Sequence, residues 1–131
     1  MRGTFRIVLS LLATLILSAC VFNEQPKDHV GAWEGKAFSI LKTLNPTYTF
    51  TEDGMVQEMH PGDASPKEGT YKVDYAKSPT WIDITWADGG VQTGIFRFVG
   101  AGKSGMEMCL VFGPARPGSF GGDGTPFLKR K

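Results

Sequence analysis

Between residues 47 and 112 one pattern recurs: a short run of alternating apolar and polar side chains, then a glycine-bearing turn. Thr47-Tyr48-Thr49-Phe50-Thr51-Glu52 sets threonines against aromatics, and Asp53-Gly54 separates it from Met55-Val56-Gln57-Glu58-Met59. Period-two alternation puts one face of a strand in water and the other in a core. Asp-Gly suits the primed turns that join adjacent antiparallel strands. Thr70 to Tyr75 adds another arm, with Tyr71, Val73 and Tyr75 on one face. Thr80 to Trp86 and Val91 to Val99 flank Ala87-Asp88-Gly89-Gly90, and Gly100 to Gly105 leads into Met106 to Phe112. The 17 glycines and eight prolines are therefore turn chemistry between strands. The pattern predicts an all-β fold, an antiparallel meander of about seven or eight strands. Closure into a small barrel would remove its exposed edges. Residues 36–44 fit either a strand or a short helix, because Trp33, Ala37, Ile40, Leu41 and Leu44 also make a helical stripe.

The start of the chain follows other rules. Arg2 and Arg6 precede an apolar run from Ile7 to Leu17, too short for the roughly 20 residues of a spanning helix. It ends in Leu17-Ser18-Ala19-Cys20, and small residues followed by cysteine resemble the signal of bacterial lipoproteins. The resemblance implies cleavage after residue 19 and acylation of Cys20, so residues 1–19 are a signal peptide and 20–30 a lipidated cysteine and tether. Two or three acyl chains hold a protein stably on a bilayer where one holds marginally. Val21 lacks the acidic character that resemblance associates with inner-membrane retention. A cell-envelope location is expected, with the outer membrane favoured where there is one.

Removing residues 1–19 of 131 leaves 112, one ordinary domain. Loss of Arg2 and Arg6 takes 14 basic residues to 12, against 13 acidic, a net charge of −1. Only Lys129-Arg130-Lys131 forms a basic run, so no nucleic-acid partner is expected. With Cys20 acylated, Cys109 has no disulfide partner and reads as a small core residue in an apolar run.

Separated motifs from residue 31 onward resemble an uncharacterised bacterial family of lipocalin-like domains. They are Gly31-Ala32-Trp33, Phe50 before Asp53-Gly54, Gly69-Thr70-Tyr71, Val73-Asp74, Pro79 with Trp81-Ile82-Asp83, Gly94-Ile95-Phe96, Cys109, Arg116-Pro117 with Phe120, and Leu128-Lys129-Arg130. The resemblance implies a lipocalin-like barrel over residues 31–131. It also implies that Trp33 plugs one end beneath a late basic side chain, Arg116 or Arg130, through cation–π stacking. Tyr48, Phe50, Tyr71, Trp86, Phe96 and Phe98 could then line an apolar cavity or fill a solid core.

Catalytic chemistry is thin. His29 falls in the tether and His60 in a turn before Pro61-Gly62-Asp63, so both read as solvated. No ligand spacing marks a metal site, no Gly-x-Ser-x-Gly occurs, and Gly102-Lys103-Ser104 lacks the upstream glycine of a phosphate loop. Asp83 is expected to face solvent or to pair with Arg97, Lys72 or Arg116. The sequence thus reads as a non-enzymatic, membrane-anchored lipoprotein with no cofactor. It would hold a small apolar ligand or envelope lipid, or else dock an envelope protein through Met55–Ser65 or Gly113–Gly124.

Overall fold

The computed structural model describes residues 25–36, 45–120 and 127–131. It is an all-β, closed antiparallel barrel of eight strands, each hydrogen-bonded to the next and the last to the first. The strands are β1 (Gly31–Lys36), β2 (Thr47–Phe50), β3 (Met55–Met59), β4 (Lys67–Asp74), β5 (Thr80–Trp86), β6 (Val91–Val99), β7 (Gly105–Phe112) and β8 (Phe127–Arg130). This is a small lipocalin-like barrel. The expected strands over 80–86 and 91–99 fall on β5 and β6, while β4 begins three residues earlier than the alternating arm at Thr70. Of the ambiguous stretch 36–44, Lys36 ends β1 and the rest lies outside the described residues.

Alternation sets what points inward. Val56, Tyr71, Ile82, Ile84, Trp86, Phe96, Met106, Met108 and Leu128 form one core with Trp33, Tyr48 and Phe50. Gly54 and Gly89 sit in the tight turns at φ 89° and 92°, a region that L side chains rarely adopt. Up-and-down connectivity sorts the loops to two rims. One rim carries residues 25–30, the β2–β3, β4–β5 and β6–β7 turns, and Lys131. The other carries the β3–β4 and β5–β6 turns and the far ends of β1, β2, β7 and β8.

Two expectations change here. The tether does not run to Val30: Lys27–Val30 fold onto the first rim and His29 is only 8% exposed. Cys109 is not in the core either. Met106, Met108 and Leu110 point inward from β7, so Cys109 faces outward and half-buried, opposite Ile95.

Candidate functional site

The two ends of the barrel are built differently, and the difference locates the site. At the first rim the interior is filled. His29 lies among Phe50, Tyr71, Tyr75 and Phe96, with ring centroids 5.4–6.4 Å away. Its Nε2 is 2.9 Å from the Tyr71 hydroxyl and its Nδ1 is 2.8 Å from that of Tyr75. The Tyr71 hydroxyl donates to the Thr51 carbonyl at 2.5 Å, so its oxygen accepts a hydrogen bond from Nε2–H, and in the neutral ring Nδ1 accepts from the Tyr75 hydroxyl. With burial favouring the uncharged form, the ring is assigned as the neutral Nε2–H imidazole. Burial lowers the His29 pKa from its usual 6.5, with Asp28 partly opposing. Burial also pushes the Tyr71 phenol up, with Asp53 adding, and takes Tyr75 up to about 12.

Trp33, fully buried, donates its indole N–H to the His29 carbonyl at 2.9 Å, and the Arg130 guanidinium stacks on that indole at 4.2 Å. Arg130 also donates to the carbonyls of Val30 (3.1 Å) and Asp28 (2.5 Å), while Lys103 pairs with Asp28 at 2.7 Å and Lys27 with Glu52. The closed end is therefore a plug of Lys27–Val30 clamped by charges.

Arg116 has no part in this closure. It lies on the outside of the barrel, because β7 continues into a strap, residues 113–120, that crosses β5 and β6. The Gly113 amide donates to the Val91 carbonyl, and the Thr93 hydroxyl donates to the Gly113 carbonyl at 2.8 Å. Arg116 then stacks on Trp81 at 4.3 Å, donates to the carbonyls of Ile82 and Gly94, and pairs with Asp83 at 2.6 Å. Phe120 packs under Arg97, which bonds Glu107. Between these two stacks Ile95 faces outward yet is 1% exposed.

The second rim is a mouth of mixed chemistry. Tyr48 and Glu58 are opposite one another on β2 and β3, and both point inward. The Tyr48 hydroxyl bonds the Glu58 carboxylate; burial foremost, then Glu58, drive its pKa far above that of a free tyrosine. Glu58 Oε1 also lies 3.2 Å from His60 Nε2. Farther round the rim, on β5, the Trp86 indole donates to Gln92 Oε1 at 2.7 Å. The Lys67 ammonium sits 4.7 Å from the Trp86 ring, 5.8 Å from the Phe112 ring and 3.7 Å from Asp88 Oδ2. Phe112, inward on β7 and at the rim, is 68% exposed.

The six candidate cavity residues therefore separate. Phe50, Tyr71 and Phe96 surround His29, and Phe98 packs on Trp33 at 6.0 Å. Only Tyr48 and Trp86 reach the mouth. His29 and His60 lie at opposite rims and Cys109 faces outward, so the histidines and the thiol do not converge. Cys20 lies outside the described residues. Sequence reasoning missed Glu58 and Lys67, although the Asp53-Gly54 hairpin register carries the signal. It puts Glu58 on the same face as Val56, opposite Tyr48.

A separate groove of about 520 Å³ runs outside the barrel over β1–β3, between Glu34, Thr47, Thr49, Gln57, Met59 and Lys131 among others. Comparison of the chain with protein-family models, with curated proteins and with solved structures gives no match.

Proposed function

We propose that this chain is an envelope lipoprotein, anchored through Cys20, whose barrel takes a small, partly apolar ligand at its mouth. The observation that carries the reading is the exposed Phe112 beside Trp86 and Lys67, with Lys67 next to the inward Glu58–Tyr48 pair in the β3–β4 register. Apolar surface and a few convergent polar groups are what small-molecule sites combine. The plug fills the far half of the barrel with rings, so a bound molecule rests across the mouth and does not thread the interior. A short apolar body on Phe112, with a polar head toward Lys67 or Glu58, fits these groups, and the buried Trp86 backs them from beneath Lys67.

Native mass spectrometry of the gently extracted protein tests this. A small molecule retained by the wild type and lost from Phe112→Ala is expected. Phe112→Ala should leave the melting temperature nearly unchanged, because exposed side chains away from caps and networks usually shift stability within about 0.5 kcal/mol. A wild-type protein that never carries a ligand overturns the reading.

The filled lower half favours a second reading, an envelope interaction module that docks a protein. A stable partner recovered from envelope extracts through the 55–65 segment or the strap would support it over ligand binding.

A further inference from the structure

The plug sets how far the start of the barrel domain can lie from Cys20. Lys27 is held by Glu52, the Asp28 carboxylate by Lys103 and the Asp28 carbonyl by Arg130, so the chain is docked on the closed end from Lys27 onward. Residues 21–26 alone separate Cys20 from that docked segment. Seven Cα steps reach at most about 25 Å. A barrel turned mouth-down would hold Lys27 one barrel height above the bilayer. For a strand of nine residues such as β6, tilted as in small barrels, that height is roughly 20 Å, and the loops of both rims add to it. Mouth-down thus exhausts the tether, whereas mouth-up leaves slack.

The charge of the closed end points the same way. Lys129 and Lys131 are exposed beside it, Lys77 lies in its β4–β5 turn, and the plug adds Lys27, Lys103 and Arg130. Asp28, Glu52, Asp53 and Asp74, the last in the same turn as Lys77, answer only part of this, four carboxylates against six cations. Exposed lysines near a bilayer are drawn to anionic head groups over about a Debye length.

We infer that the closed end of the barrel is a lipid-facing surface, seated through its lysines on anionic head groups of the bilayer that carries Cys20, with the mouth turned away from that bilayer. The inference rests on the lipoprotein reading of Cys20. It restricts the ligand of the mouth to molecules arriving from the aqueous side.

The test uses the full, acylated protein in vesicles with a nitroxide head-group lipid and a dye at one engineered thiol, in a Cys109→Ser background. Ala101→Cys marks the closed end and Ala87→Cys the mouth; both positions are exposed. Strong quenching at 101 and little at 87 is expected. Quenching at 101 should fall when anionic lipid is replaced by zwitterionic lipid, and in Lys129→Glu/Lys131→Glu. Equal quenching at the two positions, or stronger quenching at 87, overturns the orientation while leaving the anchor intact. Quenching at 101 that ignores both lipid charge and the double variant overturns the head-group contact. A mature protein lacking acyl mass that fails to float with vesicles overturns the anchor reading and the orientation with it.

Discussion

His29 is a neutral imidazole held between two phenols, and protonation would place a charge in that site. Its folded pKa lies below 6.5, so as pH falls the unfolded chain takes up the proton first. Stability therefore declines as pH drops through and below about 6.5, and is fully present well above it. Urea midpoints measured between about pH 7.5 and pH 5.5 should fall. His29→Gln should flatten that slope, even though it is less stable at neutral pH. Gly94 is a second residue with a sharp consequence. A Cβ there would fall 2.5 Å from Leu110 Cδ2 and closer still to the Cys109 carbonyl oxygen, which is fixed in the β6–β7 ladder. Gly94→Ala should cost about 1–3 kcal/mol as overpacking, read as a drop in melting temperature. Trp33→Ala should cost more, about 3–5 kcal/mol, since it empties a fully buried site and strips the Arg130 stack.

Among the elements, the strap depends on Arg116, whose guanidinium reaches two carbonyls, one carboxylate and one indole. Arg116→Ala should free residues 113–120 from β5 and β6, costing about 1–3 kcal/mol for the unmet partners. Cys109 should then react faster with a thiol reagent, because it lies on the same outer face beside Ile95. Labelling of Cys109 that does not change in rate would count against a cover there.

The strands themselves were legible because each is a local event. Threonine–aromatic alternation and Asp53-Gly54 carry β2, β3 and their turn within a dozen residues. The plug was not legible, since Lys27–Val30 have no period of their own and acquire a place only from Tyr71, Tyr75 and Arg130, dozens of positions away. Resemblance pointed to two arginines as the partner of Trp33. The choice of Arg130 came from β8 closing against β1, with Trp33 opposite Arg130 in register. The strap escaped for the same reason: a Gly/Pro-rich segment states that it is not a strand, not where it lies.

For the whole molecule, the plug joins the segment ahead of β1 to the core through the same few residues. Tension applied ahead of Lys27 would meet the Lys27–Glu52 and Asp28–Lys103 pairs first, then the Arg130 contacts, and then His29 in its socket. Beyond these, β1 lies between β2 and β8, bonded on both sides. A pull along β1 loads both ladders in shear, so their hydrogen bonds must yield together. The barrel thus resists being drawn apart by a force applied ahead of Lys27, and the first part to give would be the stopper at its base.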